Sequence, residues 1–316
     1  MYKLKQLEED FIVKEKLDLK FTDNGNYSYY LLKKKNISTF ECIKKIANFL
    51  KINPKYINAS GLKDKKAITY QYISIFRGIR KNFSFDTFNL EYLGSGKERI
   101  NIGVHEGNYF EIVVRNINQL PKRKDYVINY FDCQRFGKYE DNHMIGRMFI
   151  KRQFSDVVNL LIQRNEYKIK EYLEKKPNDY IGSLRNLPKK TLKFYISAYQ
   201  SYLWNECIKK YSKYDLKFNE VFPIIGFGIE EENEIKKDVI NNILNKENLT
   251  LRDFIIREFP ELTSEGGVRN VFSKIVNLKI YDLVDDELNL GKKKVKITFF
   301  LNKGDYATNV CKNLFQ

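Results

Sequence analysis

The sequence is poor in the side chains that most often bind transition metals or serve in hydrolases. It has two histidines, His105 and His143, and four widely separated cysteines, which are Cys42, Cys133, Cys207 and Cys311. A structural zinc site uses closely spaced pairs of ligands, so we expect no metal site and reduced cysteines. Neither histidine has the nucleophile context of a Ser-His or Cys-His hydrolase.

Long apolar runs are also missing. No stretch reaches the ~20 apolar residues of a transmembrane helix, and we recognise no signal peptide or lipidation motif. We therefore expect a soluble, cytoplasmic protein with no membrane partner. Hydrophobic residues make up 43% of the 316 positions, which is enough for the core of one large domain or two ordinary ones.

Positive charge is what the sequence has in excess. Lys and Arg number 56 against 40 Asp and Glu, for a formal net charge of +16. The basic residues form short clusters rather than one tail, at 33–35, 63–66, 77–81, 122–124, 189–190 and 292–294. This distribution is typical of a folded surface that binds the phosphates of a nucleic acid. Most of the 22 Tyr and 23 Phe are expected in the core, and those near a chemical motif could stack on bases.

One segment places a single carboxylate among lysines. Residues 61–71 read Gly-Leu-Lys-Asp-Lys-Lys-Ala-Ile-Thr-Tyr-Gln, so Asp64 is flanked by Lys63, Lys65 and Lys66. Nearby cations favour the ionised form of an acid, which suits a nucleophile that works on a polyanion. The alternative is a solvated loop in which Asp64 only pairs with its neighbours, and the local pattern alone favours that alternative.

The apolar periodicity predicts an α+β domain interrupted by a mostly helical insertion. Strands are predicted at 27–32, 70–76, 100–104, 110–115 and 295–301, and a turn between strands at 94–97. Helical patterns dominate from 126 to 210, including 192–208, and a final helix is predicted at 307–314. Strands near both ends with helices between them are typical of this fold class.

A further helix is predicted after residue 38. Ser38 and Glu41 have the spacing of a capping box, in which two side chains satisfy the first free N–H groups of a helix. The apolar stripe expected to face the core consists of Phe40, Ile43, Ala47 and Leu50.

Six segments, taken in order, resemble the TruD family of tRNA pseudouridine synthases. They are Glu9-Asp10-Phe11-Ile12-Val13, 61–71, Gly107-Asn108-Tyr109-Phe110 through Arg115, Asn129-Tyr130-Phe131 with Gln134-Arg135-Phe136-Gly137, Ser197-Ala198-Tyr199-Gln200-Ser201-Tyr202-Leu203-Trp204-Asn205, and Lys303-Gly304-Asp305-Tyr306-Ala307-Thr308. They span nearly the whole chain. Each segment alone is modestly specific, and the six in order are strong.

The resemblance implies a fold, a reaction and a partner. The fold is a pseudouridine synthase catalytic domain at 1–150 and 270–316, with a mixed, mostly antiparallel sheet, interrupted by a mostly helical TRUD-type insertion domain at 151–269. The reaction detaches uracil from its ribose, turns the base and rejoins it through carbon 5 as pseudouridine, without a cofactor or small-molecule cosubstrate. The partner is tRNA, at uridine 13 and in some members position 35, and we expect a monomer.

The resemblance also implies roles for eight residues. Asp64 matches the catalytic aspartate, and the substrate-binding set is Phe11, Asn108, Phe110, Tyr306, Lys5, Lys63 and Arg135. In that set Lys5 approaches the acid, Asn108 contacts the flipped uridine, Arg135 meets phosphate and the rings line the pocket. Lys63 should point to the opposite face of an extended segment and is the weaker candidate for direct contact.

Several of these residues also have explanations that involve no function. Lys5 could be solvated, Phe11 could be plain core, and Asn is common in turns for backbone reasons alone. A non-catalytic RNA-binding or RNA-chaperone protein on the same fold is the alternative function. A methyltransferase or a two-metal nuclease is disfavoured, because we find neither a cofactor-cradling glycine loop nor a cluster of acids.

Overall fold

A computed structural model describes residues 1–316, and the chain forms two compact units. The first unit consists of Met1–Val127 and Ser273–Gln316, and the second is Ile128–Phe272. Residues 128–150 thus belong to the second of these units.

Thirteen strands and nine helices make up the two units. The strands are β1 Phe11–Lys16, β2 Tyr27–Lys35, β3 Ile57–Ala59, β4 Ile68–Phe76, β5 Phe83–Phe85, β6 Phe88–Gly96, β7 Gly107–Ile117, β8 Tyr126–Ile128, β9 Val221–Ile224, β10 Gly267–Asn270, β11 Phe272–Lys274, β12 Val276–Asp285 and β13 Lys293–Asn302. The helices are α1 Thr39–Leu50, α2 Cys133–Phe136, α3 Asn142–Ile150, α4 Phe154–Gln163, α5 Tyr167–Lys175, α6 Tyr180–Arg185, α7 Lys189–Tyr211, α8 Glu234–Glu247 and α9 Ala307–Phe315.

A nine-stranded sheet forms the first unit. Its order is β12-β13-β7-β1-β4-β2-β6-β5, and β3 pairs with β4. Strands β1 and β4 run parallel at its centre, whereas the other pairs are antiparallel. The predicted α+β class with a mixed, mostly antiparallel sheet is confirmed.

Two apolar cores cover one half of this sheet each. Alternation along β1 buries Phe11 and Val13, which join side chains of β7, β13 and α9 in one core. The other core lies between α1 and the strands β2, β4 and β6. Because successive strand residues point to opposite faces, the same alternation exposes Lys14 and Lys16.

Most of the predicted elements of this unit are confirmed, and three details are wrong. Residues 100–104 form no strand, since the N–H of Ile100 donates to Ser74 Oγ at 2.9 Å and the N–H of Gly103 donates to Ser60 O at 2.7 Å. The segment 94–96 belongs to β6 rather than to a turn. The capping box of α1 is present, but Phe40 is 60% exposed and Cys42 and Ile46 take the inward positions.

The second unit is mostly helical. Helix α7 is its buried centre, and α3 crosses it at Gly146, where a Cβ would lie 2.1 Å from Tyr195 O. This close packing is the physical reason why residues 142–150 belong to the second unit. Strands β9 and β10 form a small antiparallel pair. None of the helices has both the length and the apolar character that crossing a bilayer requires.

Candidate active site

The loop between β3 and β4 carries Asp64, and buried polar groups of the first unit hold its backbone. The Lys34 ammonium donates to Asp64 O at 2.6 Å, and Gln71 Nε2 donates to Gly61 O at 3.2 Å. Thr39 Oγ1 accepts from the Lys63 N–H at 3.2 Å and donates to Gln71 Oε1 at 2.8 Å. The loop position is therefore fixed by side chains of β2, α1 and β4.

Asp64 forms an ion pair with Lys5. Their Oδ2 and Nζ atoms are 2.5 Å apart, and the side chains are 27% and 19% exposed, respectively. The Lys5 ammonium also lies 4.1 Å from the centroid of the Phe11 ring. The arrangement leaves a carboxylate accessible to a ligand while a fixed cation balances its charge.

Phe11 is one of three phenylalanine rings that pack against one another. The Phe11 ring meets Phe110 edge-on, with centroids 6.1 Å apart, and Phe110 stacks on Phe299 at 5.5 Å. Phe11 and Phe110 are 2% and 7% exposed and belong to the core shared with α9. They thus have a packing role of their own, beside any contact with a substrate.

Lys63 links a second set of polar side chains beside the loop. Its ammonium donates to Asn108 Oδ1 at 2.8 Å and pairs with Glu15 Oε1 at 2.7 Å. Glu15 on β1 and Asn108 on β7 are directly opposite each other in the ladder. The ammonium of Lys63 thus contacts Asn108, the residue expected to contact the flipped uridine.

A half-buried histidine lies next to this set. Burial lowers the pKa of His105 below its ordinary value, and the positive charge of Lys63 lowers it further. The imidazole is therefore kept neutral near the site at neutral pH.

The segment that carries Lys5 is anchored by a buried ion network. Arg115 Nε lies 2.9 Å from both carboxylate oxygens of Asp10, and Arg115 Nη1 lies 2.9 Å from Asp286 Oδ1. Backbone hydrogen bonds join Lys3 to Arg115 in both directions. Burial alone would raise the pKa of Asp286, but hydrogen bonds from the Asn116 N–H and other donors lower it to about 2.

A family model described as tRNA pseudouridine synthase D (TruD) matches residues 2–171, 163–223 and 217–314 of this chain. The chain belongs to the TruD family. Relatives at 30% identity or more match almost the full length of this chain. A protein of Nanoarchaeum equitans described as a probable tRNA pseudouridine synthase D is 32% identical, over 99% of this chain and 98% of that protein. The tRNA pseudouridine synthase D of Aquifex aeolicus is 30% identical, over 99% and 98% of the two chains.

A solved structure agrees with the fold. The crystal structure of a TruD candidate from Methanosarcina mazei superposes with a TM-score of 0.76 and covers 99% of this chain and 93% of its own. Its sequence identity of 24% means that this likeness supports the TruD fold alone.

The other two residues of the expected TruD site are Tyr306 and Arg135. Tyr306 is half-buried and directly precedes α9, whose first residue, Ala307, packs in the same core as Phe11. Arg135 belongs to the second unit, where its guanidinium donates to Ser201 Oγ at 2.9 Å and to Ser197 Oγ at 2.8 Å. These bonds fix Arg135 against α7.

Sequence reasoning missed Glu15 and Lys34. Both are buried, although their side chains are charged. The signal was available, because Glu15 continues the inward series of Phe11 and Val13, and Lys34 continues the inward series of β2. A charged residue at an inward position of a strand indicates a specific partner, but the sequence does not name that partner.

Proposed function

We propose that this chain isomerises uridine to pseudouridine in tRNA, with Asp64 as the nucleophile and without a cofactor. The two nucleosides have the same atoms. The bond from N1 to C1′ breaks, the bond from C5 to C1′ forms, C5 loses a proton and N1 gains one. The observation that carries the proposal is the accessible Asp64–Lys5 ion pair above Phe11, in a chain of the TruD family.

Asp64, Lys5, Asn108 and the aromatic rings each have a task in this reaction. A carboxylate can attack the anomeric carbon or a ring carbon of the base, and either covalent step divides one difficult exchange into two easier ones. Lys5 balances the charge of Asp64. We assign Phe11, Phe110 and Tyr306 to the wall of the pocket for a flipped base, and Asn108 offers hydrogen bonds to its edge.

We further propose uridine 13 in the D arm of tRNA as the target, with position 35 as a second one. A glycosidic bond inside a folded arm is shielded, so the uridine must leave its stack to reach Asp64. The net charge of +16 favours binding to phosphates, with strong salt dependence. Arg135 adds a phosphate contact, and the protein acts as a monomer in the cytoplasm.

In this proposal the two units divide the work. The first unit is the pseudouridine synthase catalytic domain, because it holds Asp64 and its partners. The second unit is the TRUD-type insertion domain and adds surface for the RNA.

The proposal is tested by a pseudouridine-specific chemical map of tRNA before and after incubation with the purified protein and no cofactor. The protein should mark one or two uridines, also in the presence of a chelator. Asp64→Asn should abolish the marks and retain tRNA binding. Asp285→Asn is the matched control, since Asp285 also pairs with a lysine, at 2.7 Å from Lys293, but is 91% exposed.

Three results would count against the proposal. Marks made by Asp64→Asn would exclude Asp64 as the nucleophile. Loss of the marks in chelator would indicate metal-dependent chemistry. Tight tRNA binding with no mark on any tRNA would favour the non-catalytic RNA-binding alternative.

A further inference from the structure

A buried carboxylate of the first unit has no task in the reaction as described. The Glu15 side chain is fully buried. Its Oε2 atom accepts hydrogen bonds from Ser60 Oγ and, at 2.9 Å, from the Tyr72 N–H, while Oε1 pairs with Lys63 at 2.7 Å. Burying a carboxylate is costly unless its partners are fixed. Its partners here are the β3–β4 loop, the central strand β4 and a lysine beside the catalytic acid.

Lys63 also donates to Asn108, and this hydrogen bond determines how the Asn108 amide is oriented. Its side chain is 8% exposed, and its ammonium donates to Asn108 Oδ1 at 2.8 Å. A lysine ammonium has three donors and no acceptor. The oxygen of the Asn108 amide must therefore face Lys63, and its NH₂ group must point away from Lys63.

We propose that Glu15 and Lys63 are positioning residues that lock the Asn108 amide so that its NH₂ group faces the flipped base. The inference rests on the proposed function. Glu15 pairs with the ammonium of Lys63, and Lys63 donates to the amide oxygen of Asn108. The NH₂ group of Asn108 is then the donor that faces the substrate.

A fixed donor suits this reaction because the base turns during it. Rotating uracil by half a turn about the line through N3 and C6 exchanges N1 with C5 and O2 with O4. A carbonyl oxygen therefore occupies the same place before and after the turn, and one NH₂ group can bind the base in both orientations. Cytosine has an amino group at C4, so one of its two orientations would set donor against donor. The lock thus contributes to the choice of uridine over cytidine, by leaving a mismatched donor unpaired.

The first test is a double-mutant cycle on turnover. Glu15→Gln and Lys63→Met should each lower kcat by about tenfold or more, because a small misplacement of a binding group is costly in turnover. In an Asn108→Ala background Glu15→Gln should cost little further, since residues that act through one group are not additive. Full additivity of the two losses would overturn the proposal. Glu111→Gln on β7 is the matched control, because Glu111, like Glu15, forms ion pairs with lysine, here with Lys14 and Lys296 on the exposed face.

The second test needs no RNA. In protein labelled with ¹⁵N at asparagine side chains, the NH₂ signals lost in Asn108→Asp belong to Asn108. They should shift in Glu15→Gln and in Lys63→Met and stay in place in Glu111→Gln. Unchanged signals in the first two variants would overturn the lock. If the signals shift but the unaltered protein forms no pseudouridine, the proposed function fails and the contact from Glu15 through Lys63 to Asn108 stands.

Discussion

Lys34 and Glu15 show that the part of the sheet beside the Asp64 loop is not built for stability alone. Both occupy inward strand positions, where an apolar side chain of similar size would pack without the cost of desolvating a charge. Lys34 is fully buried, and burial lowers its pKa to about 8. Its ammonium instead bonds the carbonyl of Asp64. The cost of burying this charge therefore accompanies the placement of the Asp64 loop.

We predict that Lys34→Met separates stability from activity. Removing the ammonium also removes the cost of burying a charge, which offsets the loss of its hydrogen bonds. The free energy of unfolding should therefore change by less than about 2 kcal/mol. The released loop should lower kcat for pseudouridine formation by about tenfold or more. Urea unfolding and single-turnover kinetics measure the two quantities.

Lys33→Met is the control, because Lys33 neighbours Lys34 on β2 but is exposed on the other face. Its kcat should stay close to that of the unaltered protein. An unchanged kcat in Lys34→Met would show that the Asp64 carbonyl needs no support from Lys34.

The candidate site was predictable from the sequence only in part. Asp64 was named from its motif and Lys5 from its place in the TruD pattern, and their side chains form an ion pair. The contacts of Lys34 and Glu15 were not predictable, because Lys34 reaches Asp64 across 30 positions and Glu15 reaches Ser60 across 45. Which distant side chain meets an inward charge depends on strand order, and no local pattern contains that information.

Among the elements, the link between the N-terminal segment and β7 depends on one arginine. Arg115 pairs with Asp10 before β1 and with Asp286 after β12, and all three side chains are 4% exposed or less. Removing one partner of a buried ion pair leaves uncompensated charge. The structure of the segment that carries Lys5 therefore depends on Arg115.

We predict that Arg115→Met lowers the free energy of unfolding by about 3–5 kcal/mol, because two carboxylates are left buried without their cation. Equilibrium urea unfolding measures the loss. Arg123→Met serves for comparison, since Arg123 pairs with Asp125 at 3.6 Å but both side chains are more than 60% exposed. The change there should stay within about 0.5 kcal/mol. Equal losses in the two variants would contradict a special role of the buried network.

The elements themselves were predictable wherever local signals agreed. Local patterns predicted β2, β4, β7 and β13, and the capping box predicted α1. The error at 100–104 arose because β-branched residues there are held by bonds to Ser74 and Ser60 instead of a neighbouring strand. The error at Phe40 concerns the face of α1 that packs on the sheet, which contains Cys42, Ile46 and Ala47.

Across the whole molecule, two half-buried histidines link stability to pH. Burial lowers the pKa of His105 in the first unit and of His143 in the second below the ordinary value of 6.5. The unfolded chain therefore binds protons that the folded chain does not bind, and stability falls as pH decreases below about 6.5. Asp286, with a pKa lowered to about 2, loses its contribution only at more acidic pH.

We predict that the urea concentration at the midpoint of unfolding decreases as the pH is lowered from 7.5 to 5. The double variant His105→Gln/His143→Gln should show a weaker dependence on pH. Unfolding curves at several pH values, followed by tryptophan fluorescence and by circular dichroism, test both units. Parallel pH profiles of the double variant and the unaltered protein would rule out the histidines as the cause.

The contacts between the N-terminal and C-terminal parts of the first unit also have a consequence for protein synthesis. Lys3 Nζ donates to Asn289 Oδ1 at 2.7 Å, across 286 positions, and β7 has β1 on one side and β13 on the other. A ribosome adds about 5–20 residues per second, so these partners emerge long after Lys5 has been made. A nascent chain therefore cannot complete the core that packs Phe11 and Phe110, to which β13 and α9 contribute, until almost all of the first unit has been translated.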